Sequence, residues 1–339
     1  MKYFLIITLL MVNVFVHSQP YGQGELLVLN KSDHNVSFIS LATGKETTVL
    51  EVGKNPHEVA VSPNEKYAAV TNYGNGENPG NTISIINLVK RKVVNTHEFV
   101  QGIKPHGIEF ADNETLLFTA EGTESFYLIN LEGEVLDVIK TSQKISHMLA
   151  YDSKSKLAFV ANIGSGSVTV IDVAKRVKVK DIMTGDGAEG IAINLEQTEV
   201  WVTNREDNSI SIIDIQSLKV TQTLATENFP IRIKFTYNGN MALVSCAKAG
   251  TVMVFDSKSK TKIKSIVINE QEVEDNGERL SASFGEGPIP IGILIHPSDK
   301  FAYIANTNAD IVTVLDLTKL EICGRISTRS EPDGLGYIK

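Results

Sequence analysis

The stretch Val200-Trp201-Val202-Thr203-Asn204 decides the fold, because the chain repeats its pattern at nearly fixed intervals. The seven copies are short apolar runs, most of which end in asparagine: residues 26–30, 68–72, 116–120, 158–162, 200–204, 242–246 and 302–306. Their last residues are separated by 42, 48, 42, 42, 42 and 60 positions. Four equal intervals, with the other two enlarged by 6 and 18 residues, indicate seven copies of one structural unit.

Apolar, β-branched runs flank each copy on both sides. Residues 191–194 precede one copy, and residues 210–214 follow it before a charged turn and a more polar run. The runs alternate with period two and are bounded by Gly, Asn, Asp and Lys, which is typical of strands. Four antiparallel strands in roughly 42 residues form the unit known as a propeller blade. The sequence therefore predicts an all-β fold, a seven-bladed β-propeller.

The two ends of the chain complete one blade between them. The N-terminal part begins with the second strand of a blade, at residues 25–30, and continues with strands at 36–40 and 47–51. The missing first strand lies at residues 334–338. Pairing of this C-terminal strand with the N-terminal three strands closes the ring and leaves no radial sheet edge unpaired.

The repeats resemble the YVTN-type β-propeller repeat of bacterial surface-layer-like and periplasmic proteins. The match is close at residues 56–63, 168–172 and 202–204, and it extends along the chain from the first strand to the last. This resemblance implies the propeller fold. It implies little about function, because propellers of this family serve many roles and the function has to be argued from the site.

The first residues read as an export signal. Lys2 precedes an apolar run at residues 4–16, and Ser18 is a small residue next to a cleavage point before Gln19. We expect a signal peptide at 1–18, a single propeller at 19–339 and a periplasmic or secreted protein. An uncleaved N-terminal anchor is the alternative. No later stretch approaches about 20 apolar residues, so we expect no membrane span after signal removal.

Composition excludes some partners. The chain has 32 Lys and Arg against 40 Asp and Glu, a net charge of −8. Nucleic acid and anionic membranes attract clustered basic residues, so we expect no nucleic-acid partner. Cys246 and Cys323 fall in different blades, and we expect no disulfide between them. We expect a monomer.

One position, directly before each first strand, carries candidate ligands around the ring. Read in order, its occupants are His57, His106, His147, Glu189, Ile231, Ile291 and Asp333. Sevenfold geometry points these side chains at one axis. Three histidines with an open position describe a metal site for zinc, copper or iron. The same histidines could instead bind a non-metal ligand, act as acid and base, or bond loop carbonyls structurally.

Both enlarged intervals fall on one face, conventionally the top. The extra residues lie in the loop at 73–81 and between 267 and 289. Loops tolerate change and carry function, so this face is the expected working surface. The metal candidates are His57, His106 and His147. The other ligand-binding candidates on this face are His34, Tyr73, Glu189, Arg205 and Asp333, although a local ion pair with Glu206 or Asp207 also suits Arg205.

Three functions fit these observations. The first is an exported binding protein whose channel mouth, lined by histidines and carboxylates, takes a small molecule, a glycan or an envelope protein. The second is a metal-dependent enzyme of the lyase or oxidoreductase type, with the ion on the axis. The third is a structural or adhesion propeller. No nucleophile elbow, phosphate loop or haem-attachment motif occurs, so no catalytic residue can be named.

Overall fold

A computed structural model of the chain describes residues 21–270, 279 and 284–339, and the expected signal peptide lies outside these ranges. The described residues form seven four-stranded antiparallel sheets, which are the seven predicted blades. The first strands are β4 (Pro56–Val61), β8 (Pro105–Phe110), β12 (Ser146–Asp152), β16 (Ala188–Ile193), β20 (Pro230–Phe235), β24 (Pro290–Ile295) and β28 (Pro332–Ile338). The second strands are β1 (Glu25–Asn30), β5 (Tyr67–Gly74), β9 (Thr115–Ala120), β13 (Leu157–Asn162), β17 (Glu199–Asn204), β21 (Met241–Cys246) and β25 (Phe301–Asn306).

The outer half of each blade continues the same order. The third strands are β2 (Asn35–Ser40), β6 (Pro79–Asn87), β10 (Ser125–Asn130), β14 (Ser167–Asp172), β18 (Ser209–Asp214), β22 (Thr251–Asp256) and β26 (Ile311–Asp316). The fourth strands are β3 (Lys45–Glu51), β7 (Lys92–Glu98), β11 (Val135–Lys140), β15 (Val177–Met183), β19 (Lys219–Ala225), β23 (Thr261–Val267) and β27 (Glu321–Ser327). Two short 3₁₀ helices, Glu121–Thr123 and Ile163–Ser165, follow β9 and β13.

Blade 1 is the shared blade, with strand order β28-β1-β2-β3. Blades 2 to 7 follow in chain order from β4 to β27. Within blade 1, Leu27 of β1 pairs with Gly336 on one side and with Phe38 on the other. The predicted closure of the ring by the C-terminal strand is confirmed.

The repeated Thr-Asn pair at the end of the second strands joins strands and blades. Asn204 donates from Nδ2 to the hydroxyls of Ser209 and Ser211, at 3.0 Å each. Thr71 of blade 2 donates to the carbonyl oxygen of His106 in blade 3, at 2.8 Å. The asparagine therefore ties the second strand to the third, and the threonine fixes the backbone of the next first strand.

Glycine in the first strands lets neighbouring blades approach closely around the channel. A Cβ atom on Gly292 would lie 2.1 Å from the carbonyl oxygen of Asp333 in the next blade. A Cβ on Gly107 would lie 2.7 Å from the carbonyl oxygen of His147. Since real Cβ atoms do not come this close to backbone, only glycine fits at these positions. Neighbouring first strands are therefore in backbone contact at these positions.

The predicted loop at 73–81 is shorter than expected. The extra residues extend the hairpin, since Gly74 still pairs with Pro79 and only residues 75–78 form the turn. Part of the second enlarged interval lies outside the described residues. Cys246 is buried and Cys323 is exposed, and both are free thiols, as expected. Within the described ranges, no helix has the length and apolar character needed to cross a bilayer.

Candidate functional site

The seven candidate ring residues all line one cavity of about 370 Å³ at the mouth of the channel. The structure places each of them as the second residue of its first strand, whereas the sequence predicted them directly before it, so the strands begin two residues earlier than predicted. We call this set the inner ring: His57, His106, His147, Glu189, Ile231, Ile291 and Asp333. Their convergence on one space is what the sevenfold alignment predicted.

A left-handed residue enters every first strand and turns the chain into the channel. The seven residues with positive φ are Asn55, Lys104, Ile145, Gly187, Phe229, Ile289 and Glu331. Glycine and asparagine adopt this conformation readily, whereas β-branched Ile145 and Ile289, at φ 57° and 51°, do so at an energetic cost. The bend is present in all seven blades, so it is a property of the repeat that aims the inner ring.

A second ring surrounds the first. It comes from the position directly after the last residue of each repeated run (residues 30, 72, 120, 162 and 204) and contributes Lys31, Tyr73, Glu121, Ile163 and Arg205 to the cavity wall. Tyr73 and Arg205 were predicted from the sequence, whereas Lys31 and Glu121 were missed. Aligning this position around the repeat, as was done for the inner ring, is the signal that would have found them.

The cavity has a polar side and an apolar side. Blades 1 to 5 contribute Asp333, three histidines and Glu189, whereas blades 6 and 7 contribute Ile231 and Ile291. Phe284 also lines the apolar side and packs on Phe229, with ring centroids 5.9 Å apart. A ligand that fills this cavity meets hydrogen-bonding groups on one face and hydrocarbon on the other.

His147 lies between two carboxylates. Its Nδ1 atom bonds to Oε1 of Glu121, and its Nε2 atom lies 3.3 Å from Oε1 of Glu189. Tyr73 donates to the other oxygen of Glu121 at 2.6 Å. Burial alone would lower the pKa of His147, but the bond to Glu121 and the charge of Glu189 raise it above its usual value. The two carboxylates therefore favour the charged form of His147.

The other two histidines are held neutral. The ring centroid of His106 lies 3.6 Å from that of His147 and 5.3 Å from that of His57. Burial and the neighbouring charge of His147 lower the pKa of His106 well below its usual value. Burial and the charge of Lys31 lower the pKa of His57 to about 4. Nδ1 of His57 donates to the carbonyl oxygen of Asn55 at 2.9 Å.

Glu189 anchors an ion network across the channel. Arg205 donates to Oε2 at 2.7 Å, and Arg232 donates to Oε1 at 3.1 Å. Burial alone would raise the pKa of Glu189, but His147 and the two arginines lower it to about 2. Arg205 also pairs with Glu206 at 3.2 Å, so the local ion pair weighed from the sequence accompanies a buried one.

Arg232 separates the cavity from the rest of the channel. Its guanidinium bonds to Glu189 in blade 5 and, at 2.7 Å, to Glu58 in blade 2. Arg232 lines both the upper cavity and a lower cavity of about 290 Å³, which also contains Glu109 and Lys234. The upper cavity is therefore a pocket with a floor.

The remaining predicted residues differ in position. Asp333 lines the cavity and pairs with Lys31 at 3.3 Å, with each side chain 4% exposed. His34 is not among the lining residues of this cavity: its Nδ1 lies 2.9 Å from the carbonyl oxygen of Lys31 and 3.2 Å from the amide of Asn55. His34 thus supports the loops of the wall.

Three buried polar atoms of the wall have no hydrogen-bond partner among the described residues. They are Nδ1 of His106, Nε2 of His147 and Oδ1 of Asp333. The contact of His147 with Glu189 is not aligned as a hydrogen bond, although the two are close enough to interact as charges. Buried polar atoms are almost always paired, so these three indicate a bound group or water.

Known proteins share this architecture. Residues 76–274 match the model of the YncE-like β-propeller family. The chain is 22% identical over 331 residues to uncharacterised YncE proteins of Salmonella typhimurium and Salmonella typhi, covering 92% of this chain and 86% of each relative.

Solved structures agree on the fold. A functionally unknown protein of Desulfotomaculum acetoxidans matches with a TM-score of 0.76 and 16% identity, over 93% of this chain and 99% of that one. Hydrazine synthase of Kuenenia stuttgartiensis matches with a TM-score of 0.69 and 17% identity, over 85% and 91%. At these identities the likeness shows the fold alone. With more than half of its length matched by the family model, the chain belongs to the YncE-like β-propeller family.

Proposed function

We propose that this chain is an exported binding protein that holds one small organic ligand in the upper cavity. The two-sided wall carries the proposal, since five blades contribute polar inner-ring residues and two contribute isoleucine. A volume of about 370 Å³ suits a small molecule. Small-molecule sites combine apolar lining with a few placed polar groups, which is the composition of this wall.

The polar side favours a head group without net charge. Lys31 is already paired with Asp333, and Arg205 with Glu189, so an ionic ligand finds no unpaired opposite charge there. Oδ1 of Asp333 can accept a hydrogen bond, and charged His147 can donate one from Nε2. A hydroxyl, amide or zwitterionic head group on an apolar body satisfies both.

Ligand titration of a paired set of variants tests the proposal. Monosaccharides, amino acids and their N-acyl or aromatic derivatives are screened by isothermal titration calorimetry on the purified protein. Ile291→Ala removes apolar wall and should weaken a bound member about tenfold or more, since each buried methylene contributes about 0.8 kcal/mol. Ile293→Ala is the matched control, because Ile293 is also buried in β24 but lines the lower cavity.

Unchanged affinity in Ile291→Ala would place the ligand, or an envelope-protein partner, outside the cavity and overturn the proposal.

The export part of the proposal rests on the apolar run at residues 4–16. Recovery from the periplasmic or extracellular fraction, with a new N-terminus near Gln19, supports it. Recovery in the cytoplasm with residues 1–18 attached contradicts it.

A metal-dependent enzyme of the lyase or oxidoreductase type is the second candidate. One observation favours it, the closeness of His106, Glu121 and His147, whose potential ligand atoms lie within 4.8 Å of one another. This function requires that these side chains hold an ion, which metal analysis of the purified protein measures directly.

A further inference from the structure

We propose that His106, Glu121 and His147 form a binding site for a zinc-type divalent metal ion, with an open coordination position facing the upper cavity. The inference concerns the pocket of the proposed function but does not depend on a small ligand being bound. It differs from the three-histidine site that the sequence predicted, because Glu121 takes the place of His57.

The donor set suits a first-row transition metal. Two imidazoles and one carboxylate are a common ligand set for zinc with an open position, and also for non-haem iron. The three donor atoms lie within 4.8 Å of one another. Donors on a tetrahedral ion with bonds of about 2.1 Å are roughly 3.4 Å apart, so side-chain rotations on the order of 1 Å bring them into range.

The two histidines have nitrogen atoms to offer. His106 is 2% exposed and His147 is 8% exposed, and each has one ring nitrogen without a hydrogen-bond partner among the described residues. An ion bound to Nδ1 of His106 would satisfy that nitrogen. Nδ1 of His147 lies beside Glu121, where an ion would take the place of the shared proton and leave Glu189 at Nε2.

The surroundings resemble the outer shell of a metal centre. Tyr73 donates to Oε2 of Glu121 at 2.6 Å and so orients that carboxylate. His147 has Glu121 at one ring nitrogen and Glu189 at the other. Metal-bound histidines usually have a carboxylate or carbonyl at the second nitrogen, which fixes the ring and raises its basicity.

His57 stands outside this set because its ring nitrogens are not among the donor atoms that lie within 4.8 Å of one another. Its Nδ1 hydrogen is used by the carbonyl oxygen of Asn55 at 2.9 Å. Its ring packs against Tyr73 and the edge of His106, with centroid distances of 4.5 and 5.3 Å. These contacts make His57 part of the wall that holds the histidine pair in place.

Zinc binding by single variants tests the proposal. The metal-free protein is titrated with zinc sulfate by calorimetry, and bound zinc is counted by mass spectrometry after dialysis. We expect one zinc per chain in the wild type. His106→Gln and Glu121→Gln should each lose more than about a hundredfold in affinity, because the loss of an outer-shell partner typically costs about 10- to 100-fold and the loss of a ligand costs more. Cobalt(II) gives a second readout, because its visible absorption reports coordination geometry.

Two further histidine variants complete the experiment. His97→Gln is the matched control, because His97 is also buried but bonds the carbonyl oxygen of Leu131 and is not a lining residue of the upper cavity. It should retain wild-type affinity. His57→Gln should lose clearly less affinity than His106→Gln, because His57 supports the histidine pair without donating to the ion. Circular dichroism and the fluorescence of buried Trp201 show that each variant is folded.

Three outcomes overturn the inference. These are a folded wild type without stoichiometric zinc at saturating zinc sulfate, a Glu121→Gln variant that binds as the wild type does, and a His57→Gln variant that loses as much as His106→Gln. The last outcome would restore the three-histidine site. Repeating the small-molecule screen in excess chelator separates the two proposals. Zinc binding without any small-molecule ligand contradicts only the proposed function, and a small-molecule ligand without zinc binding contradicts only the metal site.

Discussion

Glu189, which is buried, and Glu109, which is half-buried, are carboxylates of the same channel on either side of Arg232, yet their pKa values shift in opposite directions. The pKa of Glu189 is lowered to about 2 because His147, Arg205 and Arg232 oppose the effect of burial. Burial raises the pKa of Glu109 to about 7, since only the charge of Lys234 and the amide of Tyr151, at 2.9 Å, oppose it. Cationic partners, rather than depth, decide the charge state.

The carboxylate of Glu189 in the upper cavity therefore keeps its charge, whereas the carboxyl of Glu109 in the lower cavity tends to lose it. Charged groups that their partners already hold in place can orient a ligand without rearranging. The lower cavity offers aliphatic walls such as Val59 and Leu335 around a carboxyl that is partly protonated near neutral pH. This contrast favours the upper cavity as the functional one.

Removing Arg232, which lines both the upper and the lower cavity, should have the largest effect on stability. Arg232→Ala leaves Glu58 without its bonded cation and Glu189 with fewer cations. We expect the free energy of unfolding, from urea denaturation at pH 7, to fall by about 3 to 5 kcal/mol. Lys234→Ala, an exposed cation on the same strand, is the control and should change it by less than about 0.5 kcal/mol. Equal losses in the two variants would contradict the role given to Arg232.

The raised pKa of Glu109 in the lower cavity predicts that the free energy of unfolding depends on pH. Because the folded-state pKa of Glu109 lies above its value in the unfolded chain, the folded protein binds more protons between about pH 4.5 and 7. The free energy of unfolding therefore falls as pH rises through that window, because the carboxyl of the folded protein loses a proton that it holds more tightly than the unfolded chain does. Glu109→Gln should match the wild type at pH 4 and exceed it by about 2 kcal/mol at pH 8, in urea denaturation at both pH values. A constant difference between the two proteins would show that Glu109 does not titrate in this range.

Among these variants, the loss of Arg205 from the wall of the upper cavity should reduce stability least. Arg205 also pairs with Glu189, but its side chain is 24% exposed and Arg232 still compensates the carboxylate. Arg205→Ala should therefore lower the free energy of unfolding by about 1 kcal/mol or less. A loss comparable with that of Arg232→Ala would mean that Arg205, rather than Arg232, keeps Glu189 ionised.

The repeat explains why the sequence predicts the fold and the inner ring so well. Each copy repeats the same strand, so aligning seven copies is equivalent to superposing seven blades, and the ring position follows. The first strands begin two residues earlier than the sequence predicts. The left-handed bend before them falls on Asn55 and Gly187, which favour it, but also on Ile145 and Ile289, which do not. Local preference therefore indicates the bend in some blades only, although it is present in all seven.

Contacts across the channel are what the alignment cannot supply. Arg232 occupies the position that is glycine in β8, β16, β24 and β28, and it bonds Glu58 across a sequence separation of 174 residues. Glu121 stands where other repeats have Tyr73 or Arg205. Which of these side chains meet depends on their lengths and on the width of the channel, and neither is encoded within one repeat.

The shared blade gives the cavity a property that an ordinary pocket lacks. Lys31 follows β1 and Asp333 lies on β28, and these strands pair across a loop of roughly 300 residues, whose closure costs entropy before any contact is made. A molecule bound against Asp333 would stabilise the paired form of β1 and β28, because anything that binds only the closed ring shifts the equilibrium towards it. Ligand binding and ring closure would then be linked equilibria.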